Sequence, residues 1–354
     1  MTDDHATATQ RALDTLAAIT NCRMFDRRRH LFGRRRWLIT RSYEALWPFA
    51  DAWSAVVTLA SLDQRPEVQA ALDDFDEGLA AYAPDPSDVG DGAGPVGFES
   101  YPVPPIGRGG DRFYDDNAWI GLALVRQSQV RHDPRSLALA RRVTGFVTSG
   151  WSSDPTWSRP GGIRWKEPAA NSSRHTCSNG PAAELCALVF ELTGDADALA
   201  WAVEIYQWVR SALLGPDGLY ADRITPEGTV EPTTWTYNQG TMIGAGALLH
   251  RITGEPRYLS EATATAAAAQ ERYTLEALMG QDAAFNAVYF RNLLLLDAVS
   301  PDPAYRASAR SYADAMWGQR DPRTGLFAGG SSPLNATAPM IEIYALVAGA
   351  EPHP

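Results

Sequence analysis

Two carboxylates stand side by side at Asp115 and Asp116, within Phe113-Tyr114-Asp115-Asp116-Asn117-Ala118-Trp119. A pair of carboxyl groups is the usual equipment for breaking a glycosidic bond, and a spacing of roughly 5–5.5 Å gives retention while roughly 6.5–9.5 Å gives inversion. Neighbouring Cα atoms lie about 3.8 Å apart, so adjacent Asp side chains at a helix entrance can converge near the retaining distance. Two crowded carboxylates repel, which raises one pKa and keeps a proton available for a leaving oxygen. The plainer use of such residues is helix capping, because Asp accepts from free N–H groups and complements the helix dipole. Asp73-Asp74 is a second adjacent pair, in an amphipathic stretch. The aromatic setting of Asp115-Asp116, and the apolar helix that follows, favour it as the catalytic candidate.

The elements that must position the pair follow from apolar patterning. Six uniformly apolar, Ala- and Leu-rich segments occur at Trp53–Leu62, Ala118–Val125, Ala182–Leu192, Thr241–Leu249, Val288–Val299 and Pro339–Val347. They favour helix over strand and, being apolar on nearly every side, predict burial. Amphipathic stretches such as Ser136–Thr148, Leu199–Leu213 and Tyr258–Arg272 alternate with them. The turns His132-Asp133-Pro134, Thr193-Gly194-Asp195, Thr253-Gly254-Glu255-Pro256 and Pro301-Asp302-Pro303 supply stop and cap residues. Leu62–Pro66 is a degenerate copy. About six helical hairpins predict an all-α fold, an (α/α)6 barrel of six inner and six outer helices, as a single catalytic domain over residues 1–354. An open solenoid is the architectural alternative. In a closed barrel the inner helices run parallel, so their preceding loops share one face. Those loops contain Trp47, Trp53, Trp119, His175, Cys177, Asn179, Trp235, Tyr237, Asn238, Gln239 and Phe285. Aromatic faces, amides and carboxylates together suit sugars. The Pro- and Gly-rich stretch Ala83–Gly110 reads as one long loop, of the kind that often carries function.

A formal net charge of −11 argues against nucleic acid or anionic membrane as a partner. The basic clusters Arg27–Arg29 and Arg34–Arg36 read as a solvated face, or as a site for phosphate or an acidic partner. Three cysteines without a CxxC pair make a structural zinc site and a disulfide framework poor readings. The first twenty residues lack the apolar core of a secretory signal, and no apolar run reaches the roughly 18 residues of a membrane span. The expectation is a cytoplasmic protein, or a trimmed or leaderless secreted one. No GxGxxG, P-loop, HExxH or GxSxG motif occurs.

The chain resembles glycoside hydrolase family 76, the α-1,6-mannanases. The resemblance rests on Thr233-Thr234-Trp235-Thr236-Tyr237-Asn238-Gln239-Gly240 with Ile243-Gly244, and on Tyr114-Asp115-Asp116-Asn117-Ala118-Trp119. Gly161-Gly162-Ile163, Ser178-Asn179, Phe285 with Phe290-Arg291-Asn292, and Gly325-Leu326 agree in order, covering roughly residues 110–348. It implies an (α/α)6 barrel, retaining endo-hydrolysis of α-1,6-mannosides in a mannose-containing oligo- or polysaccharide, and no cofactor or metal. Asp115 would be the nucleophile and Asp116 the general acid/base. Tyr114, Asn117, Trp119, Trp165, Asn179, Trp235, Tyr237, Asn238, Gln239 and Arg291 would bind substrate. From its place inside a buried helix, Arg291 reads as paired with a carboxylate, either Asp115 or Asp116. The family's usual pattern is broken at Ile120, Arg164, Arg174-His175 and Asn286-Ala287, all expected to line the groove. The Ile120, Asn286 and Ala287 departures motivate an alternative reading, a glycan-binding barrel without activity. A sugar epimerase or lyase on the same barrel would need a converging His pair. Its candidates, His175 and His250, stand at opposite ends of their helices.

Overall fold

The computed structural model describes residues 2–34, 42–90, 92–167 and 173–349. Arg35 and Arg36 of the second basic cluster lie outside them. Thirteen α-helices span the described residues. Six are buried along almost their whole length: α2 (Leu46–Ala60), α4 (Tyr114–Arg131), α6 (Thr176–Thr193), α8 (Thr236–Thr253), α11 (Ala283–Asp297) and α13 (Pro333–Gly349). Each extends one of the six apolar segments into the loop before it. Each inner helix packs on the next, α2 on α4, α4 on α6, α6 on α8, α8 on α11 and α11 on α13. Contact between α13 and α2 closes the ring, so the architecture is the barrel and not the open solenoid.

The outer layer comprises α1 (Thr2–Thr20), α3 (Pro66–Leu79), α5 (Pro134–Ser149), α7 (Ala196–Leu213), α9 (Pro256–Arg272) and α12 (Pro303–Trp317). These helices bury one stripe and expose the other, as in α5, where Leu139, Ala140, Val143 and Val147 face inward. α3, α5, α7 and α9 pack on the inner helices they follow, while α1 covers α13, the last inner helix. The short α10 (Leu275–Met279) lies between α9 and α11. Caps occur at the turns read from sequence. Asp133, Asp195 and Asp302 accept N–H bonds from the helices they precede, Pro134, Pro256 and Pro303 occupy the first turns, and Gly194 and Gly254 adopt left-handed φ at helix ends. Gly240 permits a close crossing of α8 on α11. A Cβ there would lie 2.7 Å from the Tyr289 Cα on α11.

Because the inner helices are parallel, their N-termini form one face. Two small sheets decorate it, a hairpin of β1 (Phe25–Asp26) and β2 (Leu31–Phe32), and an antiparallel sheet of β3 (Arg174–His175), β4 (Arg223–Ile224) and β5 (Val230–Glu231). No helix among the described residues is long and apolar enough to cross a membrane.

Candidate active site

A cavity of about 390 Å³ opens on the N-terminal face. Its wall combines Asp115, Asp116 and Trp119 from α4, Trp47 from α2, Cys177 from α6, Tyr237 from α8 and Phe285 from α11. Ser100 and Tyr101 come from the long loop, and Phe113 and Trp165 from the segments beside α4 and α6. The rings support one another: Trp47 packs on Trp119 at 5.4 Å, and Tyr237 stacks on Phe285 at 4.1 Å. The catalytic candidates therefore sit in an aromatic funnel, at the positive end of the α4 dipole.

Asp115 and Asp116 occupy the second and third positions of α4. One Asp115 oxygen, Oδ2, accepts the Trp165 indole N–H at 3.0 Å and the Cys177 thiol at 3.4 Å. Its Oδ1 accepts the Asp116 backbone N–H at 3.1 Å. Burial raises the Asp115 pKa and the three donors pull it back. Asp116 is raised well above the ordinary range by burial and then by the charge of Asp115, with no hydrogen bond opposing this. The two neighbours are thus pushed apart in acidity, the pattern that separates an acid from a base.

Tyr237, Trp119 and Trp165 line the cavity as expected. Trp235 stands just behind, edge-on to Phe285 at 5.7 Å, and Asn238 is fully buried one turn-position on, near Asp222. Others are placed elsewhere. Tyr114 is buried against Phe146, in the layer between α4 and α5. Asn117, Asn179 and Gln239, each the fourth residue of an inner helix, are also fully buried. Asn117 receives the Phe98 N–H at 2.7 Å and donates to the Phe98 carbonyl at 3.0 Å. Asn179 does the same with Ile163, at 2.7 and 2.9 Å, and Gln239 with Tyr220, at 2.7 and 3.0 Å. Each amide also bonds the carbonyl of its own helix's N-cap residue. Their hydrogen-bonding capacity is spent on pinning loops, so the sugar-forking role expected of them gives way to an anchoring one.

Arg291 is likewise displaced from the expected groove. It lies inside the barrel with Nη1 2.8 Å from Glu342 Oε1 and 3.1 Å from Ser54 Oγ. It borders a second cavity lined by residues near the C-terminal ends of the inner helices, such as Gln129, Leu188 and Leu346. Its carboxylate partner is Glu342, with neither Asp115 nor Asp116 engaged. Nearby, Arg126 pairs with Glu184. The residues that depart from the family pattern also fall off the cavity wall. Ile120 and Ala287 are core, Asn286 donates to the Leu278 carbonyl at 2.8 Å, and Arg164 donates to the Gly150 carbonyl. Arg174 is fully buried between Trp157 and Trp208, and its guanidinium donates to the Ser158, Arg159, Gly161 and Thr225 carbonyls. His175 stacks on Trp165 at 5.1 Å, and burial pushes its pKa down to about 4. His250 hydrogen-bonds the Glu255 carbonyl at the opposite end of α8, so the two imidazoles do not converge.

Sequence reasoning did not single out Trp47, Ser100, Tyr101, Phe113, Cys177 or Phe285 as site residues. Four of these occur in the loops that precede inner helices, so their position was a usable signal. Ser100 and Tyr101 had none, because a long loop carries no periodicity to say where it touches.

A family model for glycosyl hydrolase family 76 matches residues 15–322. Among curated proteins, a mannan endo-1,6-α-mannosidase of Saccharomyces cerevisiae is 29% identical over 155 residues, which is 40% of this chain and 34% of that protein. The match thus spans about a third of the length of that relative. Among solved structures, a family 76 mannosidase of Bacteroides thetaiotaomicron superposes with a TM-score of 0.82 at 22% identity, covering 97% of this chain and 98% of the other. An inactive variant of an α-1,6-mannanase from a Salegentibacter species, with two consecutive aspartates replaced by asparagine and α-1,6-mannotriose bound, gives 0.77 at 22% identity, covering 97% and 100%. At these identities the superpositions bear on the fold, and the family match bears on kinship: this chain belongs to glycosyl hydrolase family 76.

Proposed function

We propose that this protein is a retaining glycoside hydrolase acting on α-1,6-mannosidic linkages, with Asp115 as nucleophile and Asp116 as general acid/base. The observation that carries the assignment is the asymmetry of the pair. Asp115 is held by three donors, which stabilise its ionised form, while Asp116 has none and sits beside that charge. In the first step the Asp115 carboxylate attacks the anomeric carbon as Asp116 gives its proton to the leaving oxygen, producing a mannosyl ester. Asp116, now a carboxylate, takes a proton from water, which attacks the same carbon and releases Asp115. The choice of α-1,6-mannosides rests on the relatives, which include mannan endo-1,6-α-mannosidases and an enzyme bound to α-1,6-mannotriose. The aromatic funnel supplies the stacking faces that pyranose rings use. Loss of activity in that relative on replacing two consecutive aspartates is consistent with the pair.

Proton NMR of the products from an α-1,6-mannotetraose tests the reading. The first-formed hemiacetal should be the α-anomer, and Asp115→Asn and Asp116→Asn should each lose turnover by orders of magnitude while the helical signal persists. Near wild-type turnover in both variants, or a β-anomer formed first, would overturn it. The alternatives of a silent glycan-binding barrel and of an epimerase or lyase gain no support from the site, since the departing residues lie off the wall and the imidazoles stand apart.

A further inference from the structure

Asp115, Cys177 and Tyr237 are each the second residue of an inner helix, on α4, α6 and α8 in turn. The barrel brings these three equivalent positions together at the cavity wall. Cys177 donates to Asp115 Oδ2 at 3.4 Å, and Tyr237 lines the same wall beside it. Trp165 donates to the same oxygen at 3.0 Å. Its ring is clamped by His175, stacked at 5.1 Å, and by Phe113, edge-on at 4.9 Å.

We propose that Trp165 and Cys177 are the positioning residues of the nucleophile, together fixing the orientation and the charge of the Asp115 carboxylate. The inference rests on the reading of Asp115 as nucleophile. Two features support a division of labour. The indole is a firm N–H donor, whereas a thiol is a weak one. The thiol therefore orients the oxygen while withdrawing little of its electron density. The groups facing Asp115 supply no positive charge. They are Asp116 beside it, Cys177 and Tyr237, both held protonated by burial, and Asp222 beyond them. His175, behind Trp165, is kept neutral by burial. Hydrogen bonds are thus what opposes the desolvation of Asp115.

The test is the pH profile of kcat/KM on an activated aryl α-mannoside, for the wild type, Trp165→Phe, Cys177→Ala and Cys177→Ser. Activity requires ionised Asp115, so it is lost as pH falls through that pKa, and removing a donor moves this acidic limb upward. Trp165→Phe should move it up by about one pH unit, and Cys177→Ala by roughly half a unit, as expected for a firm and a weak bond to a charged group. Cys177→Ala should lower kcat with KM within about twofold, since the thiol acts on charge and orientation rather than on substrate binding. Cys177→Ser restores a donor and should return the limb to its wild-type place or below. Acidic limbs unmoved in Trp165→Phe and in Cys177→Ala would overturn the proposal. If Cys177→Ala does not fold, the Trp165→Phe profile decides: an acidic limb that stays in place overturns the proposal. If instead Asp115→Asn retains activity, it is the nucleophile assignment that fails.

Discussion

Gln239 distinguishes a substrate ligand from a loop anchor with one substitution. In Gln239→Leu the side chain keeps its bulk and loses its amide. The Tyr220 N–H, now 2.7 Å from Gln239 Oε1, and the Tyr220 carbonyl, 3.0 Å from Nε2, would both be orphaned at a residue with no exposed surface. Each buried backbone group left unsatisfied costs about 1–3 kcal/mol, so the variant should be destabilised by roughly 2–6 kcal/mol. That is a large share of a typical net stability of about 5–15 kcal/mol. Gln239→Glu keeps the acceptor and loses the donor, so it should fall between the two. Urea unfolding followed by far-ultraviolet circular dichroism reads the loss as a lower midpoint, and KM for an α-1,6-mannooligosaccharide on the folded fraction should stay close to wild type. An unchanged midpoint with a raised KM would refute the anchoring argument and return Gln239 to the substrate groove.

Two further outcomes follow from buried charge. Arg291→Met leaves Glu342 without its guanidinium partner inside the barrel, so it should cost about 3–5 kcal/mol, and the double variant with Glu342→Leu should recover much of this in thermal unfolding. His175 has a folded pKa of about 4, below its ordinary value, so between that value and about 6.5 the unfolded chain binds the proton and the folded one does not. Stability should therefore decline as pH falls through that window, by up to about 1.4 kcal/mol per pH unit, and His175→Gln should flatten the slope; an unchanged slope would contradict a buried neutral imidazole.

The ring of helices was legible in the sequence because burial on all sides leaves a signature that needs no partner to be read. Ala182–Leu192 or Val288–Val299 is apolar at every turn, and the Gly194 and Asp133 stop and cap signals depend only on neighbouring residues. The candidate pair was legible for a related reason, as the chemistry proposed for it resides in two adjacent side chains at a helix entrance. The cover of α13 was not legible, since it comes from α1 at the far end of the chain. Nor was the direction of each polar side chain. Asn117, Asn179 and Gln239 look like groove amides in sequence, but inner-helix position four points at the neighbouring loop, where a backbone N–H and carbonyl both need partners. Arg291 looked like a partner for the aspartates, yet more than two helical turns separate it from the start of α11, so it meets Glu342 instead. Ser100 and Tyr101 reach the site along the path of a long loop, and the sequence holds no local pattern for that path. Residue types and their periodicity thus determined the barrel and its candidate acid and nucleophile. Only the tertiary structure decided which donors surround Asp115, because those contacts link segments far apart in the chain.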